Sequence, residues 1–83
     1  LSAALAAAEA AVASGALSAA AVLDAASAVL AREPLARVEY VSLVDPDTLA
    51  PVAGIDYLAL LALAVWIGST RLIDNRLLER RNP

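Results

Sequence analysis

Eleven consecutive residues, Tyr57 to Ile67 (YLALLALAVWI), carry no charge, and from Leu58 onward no polar group except the indole N–H of Trp66. Such a run must be covered on both faces. It falls well short of the about 20 apolar residues that a spanning helix requires, so it is read as interior rather than membrane. Periodicity alone does not separate a buried helix from a buried strand here. The short length and the ending Val65-Trp66-Ile67-Gly68 favour a strand, although leucine and alanine are not strong strand formers. The rest of the chain has to supply its cover.

The first third is suited to that task. Residues 1–13 are nearly all strong helix formers, with Leu1, Leu5, Ala8 and Val12 at helical spacing. Ser14-Gly15 breaks the run, and Gly15 suits a left-handed stop. A second helix is expected at about 18–32, capped by Ser18, with Val22, Ala26, Val29 and Leu30 on one face and Asp24 and Ser27 largely outside it. Pro34 disfavours helix at Glu33 and ends it. Two helices with small alanine faces can approach closely, which makes packing the reading of the alanine.

After Pro34 the texture becomes β. Val38 to Val44 (VEYVSLV) reads as a short strand with Val38, Tyr40, Ser42 and Val44 on one face and Glu39, Val41 and Leu43 on the other. Asp45-Pro46-Asp47-Thr48 suits a type I turn, and Pro51 and Gly54 extend irregular chain to about Asp56. Gly68-Ser69-Thr70 makes a tight connection to a returning strand, Arg71 to Leu78. Arg71, Ile73, Asn75 and Leu77 then share one face, and Leu72, Asp74, Arg76 and Leu78 the other, where Asp74 and Arg76 are placed to pair. The tail from Glu79 to Pro83 is expected to fray. The fold class is α+β: an Ala-rich helical pair followed by a three-stranded antiparallel sheet whose most apolar strand is central. One sheet face is covered by the helices, and the other is available to something outside these residues.

The chemistry that the side chains exclude is broad. No cysteine or histidine is present, so a disulfide, a thiolate nucleophile and a zinc or copper site are not expected. The serines lack a histidine to activate them. Asp45 and Asp47 flank a proline and are read as turn caps rather than metal ligands, since a hard cation wants further oxygens. Gly68-Ser69-Thr70-Arg71 lacks the spacing and lysine of a phosphate loop. Arg71, Arg76, Arg80 and Arg81 form a modest basic tail, but a net charge of −3 gives no reason to expect nucleic acid. Asp74 and Asn75, polar in the middle of an apolar strand, either satisfy groups within the fold or meet a neighbouring domain.

Three stretches together carry a resemblance. Val38-Glu39-Tyr40-Val41-Ser42-Leu43-Val44-Asp45, then Thr48-Leu49-Ala50-Pro51-Val52, then Gly68-Ser69-Thr70-Arg71-Leu72-Ile73-Asp74-Asn75 resemble, in order and spacing, the end of the pantothenate synthetase (pantoate–β-alanine ligase) family. The resemblance covers essentially the whole chain. It implies that residues 1–83 are the C-terminal lid domain of a two-domain cytoplasmic ligase. The Rossmann-like nucleotide-binding domain is then absent from these residues. It implies an intact enzyme that uses ATP and Mg2+ to make pantoyl adenylate from pantoate, which β-alanine then attacks to give pantothenate and AMP. A homodimer is implied for that enzyme, joined mainly through the nucleotide-binding domain. The family's His-x-Gly-His and Ser-Ser-Arg elements do not occur in this sequence, so no catalytic, cofactor-binding or metal residue is assigned, and the fragment alone is expected to be inactive. Tyr40, Asp45, Arg71, Asp74 and Asn75 are expected to be architectural or interdomain. The alternative is a structural or interaction module with no catalytic role, suggested by an apolar content of 61% in so short a chain.

Overall fold

In the computed structural model, which describes residues 1–80, two helices precede three strands. They are α1 (Ser2–Ala13), α2 (Ala19–Leu30), β1 (Ala36–Val44), β2 (Leu58–Ile67) and β3 (Thr70–Glu79). The strands form one antiparallel sheet in the order β1-β2-β3. The expected α+β arrangement, with the apolar strand in the centre, is the one observed.

The helices form where the alanine runs lie, and α1 stops just before the glycine read as its end. Gly15, just past α1, has φ +100°, a conformation that costs a β-carbon-bearing residue about 1–2 kcal/mol. The Ser18 hydroxyl accepts the Ala21 N–H, capping α2 as expected, while α2 ends at Leu30, two residues earlier than its periodicity suggests. Leu5, Ala8 and Val12 of α1 and Val22, Ala26 and Leu30 of α2 are buried against one another and the sheet. Asp24 and Ser27 are exposed.

Strand β2 supplies two different faces. Ala59, Leu61, Leu63 and Val65 are completely or almost completely buried in the core beneath the helices. Each fully buried leucine of this kind contributes about 1.5–3 kcal/mol relative to exposure. The alternate residues Leu58, Leu60, Ala62, Ala64 and Trp66 lie on the face away from the helices. The register sets Tyr40, Ser42 and Val44 of β1 opposite Ala64, Ala62 and Leu60, and Arg71, Ile73, Asn75 and Leu77 of β3 opposite Trp66, Ala64, Ala62 and Leu60. Ile73 and Leu77 are 57% and 54% exposed there, so this open face is partly apolar and partly polar.

The connections depart from expectation in detail. β2 and β3 are joined by a two-residue loop, Gly68-Ser69, and Thr70 is already in β3, paired with Ile67. Gly68 has φ +62° and Ser69 does not share it, the pattern of a type II′ hairpin, whose twist matches that of the strands. At the other end Asp45 does not close a simple four-residue turn. Its carbonyl accepts from Leu49 N–H at 2.8 Å, and its N–H donates to Ala50 at 2.9 Å, which widens the loop and puts Leu49 at φ +63°. The segment after it is tied back to the helices: Ile55 N–H donates to the Leu17 carbonyl and Ala19 N–H to the Ala53 carbonyl, both at 2.8 Å.

Three expectations require correction. β1 does not alternate uniformly, because a bulge between Val38 and Tyr40 lets Glu39 stand without a partner. Val38 therefore pairs with Val65 on the helix side, while Tyr40, two residues on, lies on the open side; an inserted residue reverses the parity that alternation assumes. Asp74 and Arg76 do share the helix-side face, yet Arg76 forms its ion pair with Glu9 of α1. Finally, Glu79 does not fray: it ends β3 opposite Leu58, and Arg80 N–H donates to the Tyr57 carbonyl at 2.8 Å. Residues 81–83, also part of the expected fraying tail, lie outside the described residues.

Candidate functional site

The densest polar arrangement sits at the hairpin end of the open sheet face. The bulge at Glu39 swings its carboxylate across β2 toward the start of β3. Glu39 Oε1 accepts the Trp66 indole N–H at 2.7 Å and the Arg71 Nε–H at 2.9 Å, and Oε2 accepts from Arg71 Nη2 at 2.8 Å. This is a two-toothed guanidinium–carboxylate contact, the geometry in which such pairs are strongest. Arg37 stands over the Trp66 ring, its guanidinium carbon 5.9 Å from the ring centre. One clasp thereby joins all three strands: Glu39 and Arg37 on β1, Trp66 on β2, Arg71 on β3.

The charges respond to that clasp. The Arg71 hydrogen bonds hold the Glu39 carboxyl below its ordinary value of 4.5, with the Trp66 N–H adding to the effect. Reciprocally, the Glu39 carboxylate raises Arg71 above its usual range. Both groups stay ionised at neutral pH, and both are solvent-accessible. With its charge matched inside the chain, Arg71 is a tie between strands rather than a free anion clamp.

The residues singled out in the sequence fall in three places. Tyr40, Arg71 and Asn75 share the open face, so the structure brings these together. Asp74 is half-buried on the helix face, and its Oδ1 accepts the N–H of Asn75 at 2.8 Å. Asp45 lies in the turn beyond the far end of β1, away from the clasp. There its Oδ1 accepts the N–H groups of Thr48 and Asp47 at 2.9 and 2.8 Å, which lower its carboxyl below 3.8. It caps the turn, as read from Asp-Pro-Asp-Thr. Glu39, Trp66 and Arg37 were not singled out. The hairpin arithmetic that pairs residue 66 with residue 71 across a two-residue loop was available for Trp66, whereas the bulge that delivers Glu39 has no sequence signal here.

Two concavities flank the sheet. One, of about 490 Å³, is formed where Glu9, Val12 and Ala13 of α1 face Tyr57 and residues 77–80. The other, of about 290 Å³, is more apolar and opens between Leu1, Leu30 and Leu72 at the opposite end. Neither contains a nucleophile with a base beside it. Among the described residues no group of three or more Asp, Glu, His or Cys converges to hold a metal ion.

Comparison with known proteins places this geometry. Residues 1–77 match the family described as pantoate-beta-alanine ligase. A pantothenate synthetase of Desulfatibacillum aliphaticivorans is 52% identical over 68 residues, 82% of this chain and 24% of that protein. A bifunctional pantoate ligase/cytidylate kinase of Trichodesmium erythraeum (strain IMS101) is 52% identical over 54 residues, 65% of this chain and 10% of that protein. The crystal structure of pantothenate synthetase from Thermus thermophilus superposes with a TM-score of 0.81 at 32% identity, over 88% of this chain and 26% of that one. The chain thus spans between about a tenth and a quarter of the length of these relatives.

Proposed function

This chain belongs to the pantoate-beta-alanine ligase family, and from that premise we propose that it acts as the C-terminal lid of an AMP-forming ligase that makes pantothenate. The proposed reaction has two steps. A pantoate carboxylate attacks the α-phosphorus of ATP and releases pyrophosphate, giving pantoyl adenylate. The amine of β-alanine then attacks the acyl carbon, and AMP leaves. An acyl adenylate is prone to hydrolysis, so a cover that excludes water protects the intermediate and strengthens the electrostatics around it.

The observation that carries this reading is the coincidence of motif and clasp. The stretches that resemble the family, Val38–Asp45 and Gly68–Asn75, are far apart in sequence, yet they flank β2 on one sheet and are tied by Glu39 and Arg71. A lid must move as a unit, and a three-strand tie at the hairpin end supports that rigidity. ATP and Mg2+ are implied for the intact enzyme. Their binding is proposed to fall mainly to the nucleotide-binding domain, and no step is routed through this chain's own residues. In this proposal Tyr40, Asp45, Arg71, Asp74 and Asn75 serve as architecture or as contacts with that domain. Cytoplasmic location and a homodimer of the intact enzyme, with pantoate, β-alanine and ATP as its small-molecule partners, are part of the same proposal.

A chimera tests it. The matching quarter of the Thermus thermophilus pantothenate synthetase is replaced by this chain, and AMP release is followed with and without β-alanine. The expected result is β-alanine-dependent turnover by the chimera. Removing the quarter altogether should abolish turnover or leave AMP release that no longer yields pantothenate. A folded chimera that makes no pantothenate, or turnover by the 83-residue chain alone, would overturn the reading.

A further inference from the structure

The loop between β1 and β2 contains one residue that is unfavourable twice over. Leu49 has φ +63°, and among the described residues no other non-glycine residue lies in that left-handed region. A β-carbon there crowds the carbonyl oxygen that follows, so glycine or asparagine normally fills such a place. The Leu49 side chain is also 61% exposed, and it belongs neither to the core nor to the apolar residues packed against it. A single exposed leucine is ordinary, and Leu35, at 72%, is one without a positive φ. Leu49 combines exposure with backbone strain. Glycine would close the same loop with neither, so no contact among the described residues accounts for leucine at this position.

The loop that imposes this conformation is itself tightly held. Asp45 Oδ1 accepts the N–H groups of Asp47 and Thr48 at 2.8 and 2.9 Å. The Asp45 carbonyl accepts Leu49 N–H at 2.8 Å, and the Thr48 hydroxyl oxygen accepts Ala50 N–H at 3.2 Å. Every N–H from Asp47 to Ala50 is therefore satisfied inside the loop. Val52 N–H then donates to the Leu43 carbonyl of β1 at 3.1 Å, which fixes the loop to the sheet. A strained residue persists where its surroundings over-determine it, and such residues gather at contact and switch sites. The leucine is thus held outward on a fixed seat, and a partner that covers it has little ordering left to impose.

We infer that Leu49 is the anchor by which this domain docks on the nucleotide-binding domain of its own polypeptide, entering an apolar recess whose rim offers a cation or N–H donor to Asp47. The identity of the partner rests on the ligase reading. The chain spans 24% and 26% of two of its relatives, so the larger part of such a protein lies outside these residues. Charge argues against a lipid surface as the occupant. Asp45, Asp47 and Asp56 are the only charged residues from 45 to 56, whereas an anionic leaflet attracts lysine and arginine.

The chain has no cysteine, so one introduced at position 49 reports its own cover. Leu49→Cys is made in the 83-residue chain and in the chimera with the Thermus thermophilus enzyme. Alkylation of that residue by iodoacetamide is followed by peptide mass spectrometry, with and without ATP, Mg2+ and pantoate. Labelling should be at least tenfold slower in the chimera. Leu35→Cys, before the opposite end of β1, is the control and should change less than twofold. Leu49→Gly supplies the second arm. Relief of the backbone strain should raise the melting temperature of the 83-residue chain by about 4–8 °C. In the chimera the same change should lower pantothenate formation at least fivefold, with Leu49→Met retaining it; a purely structural role does not join a gain in stability to a loss of turnover. An active chimera in which residue 49 is labelled as fast as in the free chain under both conditions sinks this inference and leaves the ligase reading standing. A folded chimera that protects residue 49 but makes no pantothenate overturns the ligase reading and leaves the docking anchor standing. Equal protection at positions 35 and 49, or no rise in melting temperature with Leu49→Gly, also refutes the anchor.

Discussion

Gly54 is the position where the fold tolerates no side chain, and replacing it with alanine isolates the cost of one close backbone approach. A β-carbon there would stand 2.8 Å from the Leu17 carbonyl oxygen, against about 3.4 Å for an ordinary contact. The backbone must give way by about 0.6 Å. That same carbonyl accepts the Ile55 N–H at 2.8 Å, and the neighbouring Ala19 N–H to Ala53 carbonyl bond is equally short. Retreat stretches both, and each backbone bond contributes about 0.5–1.5 kcal/mol net. It also loosens Ile55, which is 3% exposed in the core. The expected loss is about 2 kcal/mol, a large part of the about 4–12 kcal/mol available to a chain of this length. At about 4–8 °C per kcal/mol for a domain of this size, the melting temperature should fall by about 8–16 °C. Urea unfolding followed by Trp66 fluorescence and by far-ultraviolet circular dichroism measures it. Gly68 is the comparator: its β-carbon would meet nothing within 4 Å, but φ is +62°. Asparagine, which visits left-handed conformations more readily than alanine, should therefore be better tolerated than alanine at 68 and worse than alanine at 54. A Gly54→Ala chain within about 0.5 kcal/mol of the parent, or the same order of tolerance at both positions, would refute the steric account.

Two further outcomes follow from the core and the clasp. Leu63→Ala removes a completely buried side chain from the middle of β2 and should cost about 3–5 kcal/mol, read as a drop in the urea midpoint at unchanged slope. Lowering the pH should destabilise the chain through Glu39 and Asp45, whose folded carboxyls titrate below their ordinary 4.5 and 3.8. In that range the unfolded chain binds more protons, so their stabilisation is complete above the ordinary values and is lost as pH falls through the folded ones. Urea midpoints between pH 6 and 2 should fall less steeply in Glu39→Gln, and an unchanged slope would show that the clasp does not contribute.

The parts of this molecule that were legible in its sequence are those where one residue type permits few conformations. Gly15 stops the first helix, Ser18 caps the second, and the apolar run from Leu58 had to put at least one face in the core. Order and spacing across Val38 to Asn75 carried the family. The clasp was not legible, because a bulge depends on which residue of β1 is left unpaired against β2, and nothing in Arg37-Val38-Glu39-Tyr40 marks Glu39 as that residue. Perfect alternation would have sent Glu39 under the helices, a costly place for a carboxylate without a partner. The bulge removes that conflict: it turns Glu39 out toward Trp66 and Arg71 while keeping Val41 and Leu43 packed on the core. The irregularity thus resolves two demands that a regular strand cannot meet together.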